Sequence, residues 1–186
     1  MLKRISRPVA ANASDAFLFY AGGMNSRSRR ATDSSCAAAL RGRPSVSRLI
    51  ELDSKRAFAV AADPRFHYRW VPFTRIRTPR RPLLTGDSFT ARTLGFLTDH
   101  MTVTSIKDGD AQFRKDGPYL LGTARIQVEA VARNVSRVTW SYDSEIAGPF
   151  PKFIARALAG IALYPILHVV IERMEKDIMR NRHLMR

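Results

Sequence analysis

Cysteine is almost missing from this chain. Cys36 stands alone among 186 residues, so no disulfide can close within it, which fits a reducing compartment and a cytoplasmic setting. Histidine is scarce too. His67, His100, His168 and His183 have no close ligand spacing, so the pattern offers no metal site and no cofactor is expected. A glycine-rich phosphate loop, a G-x-S-x-G elbow and any nucleophile–base pair at recognisable spacing are all lacking. Acidic residues are outnumbered, 16 against 31 basic ones, for a net charge of +15. Such a surplus suits an anionic partner or simply a basic surface. No Lys/Arg cluster interleaves with aromatics and no nucleic-acid motif is present, so nucleic acid is not an expected partner. A weak contact with an anionic membrane surface stays open. Uncharged runs are short: the longest in the C-terminal helix, 157–171, has 15 residues and contains Pro165. That is under the roughly 18–20 residues that span a bilayer, so a buried core helix is expected there.

What the chain does have is one dominant helical signal, over 151–182. Phe153, Ala157, Gly160, Tyr164, Leu167, Ile171, Met174 and Ile178 recur at spacings of three and four, which places them on one face. With no charge from 157 to 171, that half should be buried nearly all round. Residues 1–43 look different. They hold eight basic residues against two acidic ones, with much Ser and Ala and no sustained period. They are expected to form a disordered tail outside a folded domain of 44–182, with 183–186 as a short C-terminal tail. An organelle transit peptide, or a true start at Met24 or later, are alternative readings of this stretch.

Between the tail and the helix the order of elements is legible. Residues 46–52 read as a short strand. Asp53 or Ser54 then caps a helix over 55–62, and Asp63-Pro64 ends it. Phe66, His67, Tyr68 and Trp70 form an aromatic knot, a candidate second short helix, and 78–82 reads as an exposed loop. From Gly86 the period changes to two: Phe89 and Ala91, then Met101 and Val103, then Ala124, Ile126 and Val128, then Val138, Trp140 and Tyr142 alternate with polar neighbours. Turns fall at Asp108-Gly109, Asp116-Gly117-Pro118 and Arg133-Asn134. Gly148-Pro149-Phe150-Pro151 stops the last strand and launches the helix. A run of antiparallel strands with one apolar face needs cover, and the helices must supply it. The expected fold is therefore α+β, a curved antiparallel sheet around a long C-terminal helix with two short helices after the first strand.

This order resembles the helix-grip fold of the polyketide cyclase/dehydrase and lipid-transfer superfamily, also called SRPBCC or START-like, over about residues 45–180. Three stretches carry the resemblance. One is the opening strand and helix pair with Asp53, Phe58, Ala61, Asp63-Pro64 and Trp70. Another is the hairpin Gly117-Pro118-Tyr119-Leu120-Leu121-Gly122-Thr123-Ala124-Arg125-Ile126 with Ser136-Arg137-Val138-Thr139-Trp140. The last is the closing helix. None is a catalytic signature. The resemblance implies a cavity between sheet and helix that takes a hydrophobic small molecule, a lipid or polyketide-like metabolite. The alternatives it leaves are a cyclase, aromatase or dehydratase using the same cavity, or an interaction module docking on anionic membrane or a protein partner. The expected lining is Phe89, Ala91, Met101, Val103, Ile126, Val128, Trp140 and Tyr142 from the strands, with Leu158, Ile161, Pro165 and His168 from the helix. His168 and Tyr142 are the candidate acid–base or orienting groups. Pro165, which cannot donate to the carbonyl of Ile161, is the expected bend at the pocket mouth.

Overall fold

In a computed structural model of the chain, residues 38–39 and 41–181 are described. The transit-peptide and alternative-start readings, Cys36 and His183 lie outside them. Seven antiparallel strands form a single sheet in the order β1-β7-β6-β5-β4-β3-β2. They are β1 (Ser45–Ile50), β2 (Thr74–Arg77), β3 (Ser88–Thr93), β4 (Leu97–Lys107), β5 (Asp110–Asp116), β6 (Leu120–Ala132) and β7 (Val135–Ile146). The sheet curls into a half-barrel. Two short helices, α1 (Ser54–Ala61) and α2 (Pro64–Trp70), follow β1, and the long helix α3 (Lys152–Asn181) closes the chain. Strand β2, whose residues show no period-two alternation, is a four-residue edge strand paired with β3.

Local chemistry fixes these elements. Asp53 caps α1 by accepting a hydrogen bond from Arg56 N at 3.1 Å. Asp63 caps α2 through Arg65 N at 2.9 Å, and Pro64 sits in its first turn, where the missing N–H costs nothing. Helix α2 turns His67 and Trp70, three residues apart, toward the core. At the centre of the sheet, Ile126 lies opposite Trp140 and Val128 opposite Val138. These four buried side chains face the concave side, while Arg125 and Arg137 project to the other. The hydrophobic core joins the concave faces of β3 to β7 to α1, Trp70 and the second half of α3, Leu167 to Ile178.

Helix α3 runs without interruption through Pro165, and one face of it is buried: Ala155, Ala159, Gly160, Leu163, Leu167, Val170, Ile171, Met174 and Ile178. The expectation of burial nearly all round is corrected here. Leu158, Ile161, Ile166 and Val169 are exposed, Ile161 to 55 % and Phe153 to 73 %. Absence of charge does not require burial, because apolar side chains also stand on protein surfaces. The buried stripe also turns as the helix proceeds. Its first half presents small residues because backbone lies against it: a Cβ at Gly160 would fall on the Ala39 carbonyl oxygen, and one at Gly42 would meet Arg156 Cβ and Ser144 O, both at 2.8 Å. Ala39 and Gly42 thus pack on α3 and β7, and Ser144 N donates to Gly42 O at 3.0 Å. By length and composition alone α3 could cross a membrane, with a window of mean hydropathy 1.9, of which 39 % is buried.

Candidate functional site

The β3–β4 hairpin, the β5–β6 turn and the start of α3 all lie at one end of the sheet. The register requires it: Thr93 pairs with Leu97, Met101 with Lys115, Asp116 with Leu121, and Leu120 with Ile146. Just inside this end, the concave face changes character. Inward positions of β5 run Ala111, Phe113, Lys115, and those of β4 run Val103, Met101, Asp99. Lys115 is buried, and its ammonium donates to Asp99 Oδ2. The same nitrogen lies 3.7 Å from Met101 Sδ and 5.1 Å from the ring centroid of Tyr142. Strand β7 brings Tyr142 beside it, and Trp140 two residues further in.

Two polar atoms of this cluster are buried without a partner: Asp99 Oδ1 and Trp140 Nε1. Native interiors leave few such groups unpaired, and each calls for a physical reason. Burial holds the Tyr142 phenol above its ordinary pKa, helped by the Asp99 charge and opposed by Lys115 and the nearby Trp140 N–H. The phenol therefore keeps its proton at neutral pH and can donate a hydrogen bond. The Trp140 N–H lies near the phenol oxygen and lowers the phenol's pKa as a weak donor, but the contact falls short of hydrogen-bonding geometry and leaves the indole N–H without a full acceptor.

Beneath Trp140 lies an aromatic layer. The rings of His67 and Trp140 are 4.9 Å apart, and those of His67 and Trp70 are 5.6 Å apart. His67 Nε2 donates to Ala61 O at 2.8 Å, and Trp70 Nε1 donates to Asp177 Oδ2 of α3 at 3.1 Å. Burial is the main influence on His67, lowering its pKa to about 4 against the smaller opposing effects of Ala61 O and Asp63. It is a neutral packing residue at physiological pH.

Of the expected lining residues, Phe89, Ala91, Val103, Ile126, Val128 and Trp140 are buried on the concave face, with Met101 and Tyr142 partly buried at its edge. Leu158, Ile161, Pro165 and His168 are elsewhere, on the exposed face of α3. His168 packs edge-on against Tyr164 at 4.7 Å. Its pKa is lowered by partial burial and by Arg48 of β1. His168 and Tyr142, paired as candidates by residue type, are not brought into one cluster. A hollow of about 410 Å³ faces outward among Arg43, Thr123, Arg125, Ser141 and Asp143, and of the expected lining only Tyr142 touches it. It is open and polar, and its Arg43 and Asp143 already pair with each other at 3.1 Å, so the concave cluster is the better candidate site. Among the described residues no three His, Cys, Asp or Glu converge on a metal position.

Neither Asp99 nor Lys115 stands out among the candidate residues of the sequence analysis. The signal was present. Ala111-x-Phe113-x-Lys115 and Asp99-x-Met101-x-Val103 each put a charge in register with an inward apolar stripe, and those charges have opposite signs.

A curled antiparallel sheet gripping a C-terminal helix, with two short helices after the first strand, is the START-like helix-grip fold. No protein-family model matches the chain, and no curated protein matches it in sequence. Solved structures share the fold. A START superfamily protein from Mycobacterium smegmatis superposes with a TM-score of 0.57 at 13% identity, covering 73% of this chain and 98% of that one. A conserved protein from Geobacillus kaustophilus gives 0.56 at 16% identity, covering 75% and 96%. The di-domain aromatase/cyclase BexL of the BE-7585A biosynthetic pathway gives 0.60 at 11% identity, covering 75% of this chain and 47% of the two-domain chain.

Proposed function

We propose that this protein binds a hydrophobic small molecule, a lipid or polyketide-like metabolite, at the Asp99–Lys115–Tyr142 end of the concave face, in the cytoplasm. The observation that carries the reading is a charge pair, with the unpartnered Asp99 Oδ1 and Trp140 Nε1 beside it, buried in a mainly apolar sheet face. Desolvating a lysine and a carboxylate costs several kcal/mol per ion, and apolar residues of similar size would fill the same space at lower cost. A ligand that completes the unmet hydrogen bonds accounts for their retention. Partial exposure of Asp99, Met101 and Tyr142 marks where it would enter. Affinity would come from apolar contact, at about 25 cal/mol per Å² buried. Helix-grip relatives described as START and aromatase/cyclase proteins are consistent with this use of the fold.

The neutral apolar fluorophore N-phenyl-1-naphthylamine should bind saturably with enhanced emission. Met101→Trp, which fills the edge of the site, should abolish the enhancement, whereas His168→Ala on the outer face of α3 should leave it unchanged. Absence of saturable binding to the wild-type protein would refute the proposal. A second reading, docking on an anionic membrane, is favoured by the apolar side chains exposed at the same end of the molecule, Phe73, Leu94, Phe96, Phe150 and Phe153, together with the net charge of +15. On this reading the protein sediments with phosphatidylglycerol vesicles at low salt. Raising salt past a Debye length of roughly 3 Å weakens the electrostatic part, and Phe96→Ser with Phe153→Ser removes the apolar part. Equal recovery of wild type and double variant would rule it out.

A further inference from the structure

We infer that the site recognises an uncharged hydroxyl carried on an apolar frame, an alcohol, enol or phenol, in preference to a carboxylate. This rests on the binding role proposed above and narrows its ligand.

The argument follows from donor and acceptor counting. Lys115 and Asp99 neutralise each other across their hydrogen bond, so the pocket end carries no net charge to attract an ion. An incoming carboxylate would be drawn by the Lys115 ammonium but would meet Asp99 Oδ1, an acceptor that already lacks a donor and gains nothing from a second anion. A cation would meet Lys115. What Asp99 Oδ1 lacks is an N–H or O–H, because an ionised carboxylate only accepts. What Trp140 Nε1 lacks is an acceptor, because an indole nitrogen only donates. The Tyr142 phenol, kept protonated by burial, does both and is close enough to Asp99 and Trp140 to feel each of them. A hydroxyl is the simplest neutral group that donates and accepts. A hydrocarbon supplies neither function, and a bare ketone or ether only the second. Elsewhere on the concave face Phe89, Val103, Ile126 and Val128 are apolar, and the Ser136 and Ser144 hydroxyls already donate to Leu52 O and Thr123 O, so the remainder of the ligand must be apolar.

The test compares three probes of one size, 2-naphthol, naphthalene and 2-naphthoate, by equilibrium dialysis against the full-length protein at pH 7. A hydrogen bond to a charged group predicts that 2-naphthol binds about tenfold more tightly than either of the others. In Asp99→Asn the lysine loses its counter-charge, so 2-naphthoate should gain on 2-naphthol and overtake it. Circular dichroism establishes that the variant is folded, and the wild-type comparison decides the matter if it is not. Naphthalene binding as tightly as 2-naphthol would overturn the inference while leaving an apolar binding site in place, and naphthoate binding most tightly to the wild type would overturn it as well. Failure of all three probes to bind would overturn the binding role itself and this inference with it.

Discussion

Replacing Lys115 with methionine should destabilise the protein by about 3–5 kcal/mol, because removing one partner leaves the other charge buried and uncompensated. Lys115 reaches Asp99 from the neighbouring strand, and both side chains are largely shielded from water. Methionine preserves the length of the side chain and its contact with Met101, so the loss isolates the charge. The paired change Lys115→Met with Asp99→Leu should recover most of it and end within about 1 kcal/mol of the wild type, since buried ion pairs can often be exchanged for apolar residues of similar volume at little cost. Urea denaturation of the wild type, both single variants and the double variant gives the coupling directly. A single-variant cost below about 1 kcal/mol would mean the pair behaves as a solvated surface bridge. If the double variant is stable yet no longer binds its ligand, the pair serves recognition and not folding.

Acidification should weaken the fold before its carboxylates titrate. His67 has its pKa lowered to about 4 from the usual 6.5, chiefly by burial. Between these values the unfolded chain takes up a proton that the folded chain refuses. Stability is then fully present above about pH 6.5 and falls as the pH approaches 4, by an amount on the order of 3 kcal/mol. The carboxylates held low by arginine partners, Asp87, Asp110 and Asp116, contribute in a separate window below their ordinary value of 3.8. The urea midpoint should therefore drop between pH 7 and pH 4.5. In His67→Gln, whose amide can still donate to Ala61 O but cannot charge, that drop should largely vanish. An unchanged slope in the variant would place the acid sensitivity elsewhere.

Much of the fold was legible because its strands alternate cleanly. Strand β7 reads off Val138, Trp140 and Tyr142 against Arg137, Thr139 and Ser141, and Asp53 announces the first short helix, whereas Asp63, read as the end of that helix, also caps the next. Strand β2 was not legible. Its four residues, two of them arginines, carry no pattern, and only pairing with β3 makes them a strand. The face of α3 was half legible. After Ile171 charged residues mark the solvent side, but from 157 to 171 there are none, and the choice is made by what packs there, such as the Ala39 backbone against Gly160. The candidate site was least legible, because Asp99 and Lys115 are 16 residues apart and meet only through the β4–β5 register. His168 drew attention as a titratable group in an apolar run, yet its side of the helix faces away from the concavity.

The half-barrel does not close, so the outer borders of β1 and β2 keep ladder groups that no neighbouring strand satisfies. Both borders are short, six residues and four; the β2 border carries Arg75 and Arg77, while Arg48 on β1 pairs with Glu175 of α3 at 3.5 Å. A second molecule adding its β2 border to this one would bring cation against cation, a known defence against polymerisation. Part of the basic surplus thus acts as a guard at the β2 seam of the sheet. Multivalent counter-anions such as polyphosphate, by masking it, would expose the protein to end-to-end stacking that monovalent salt leaves largely suppressed.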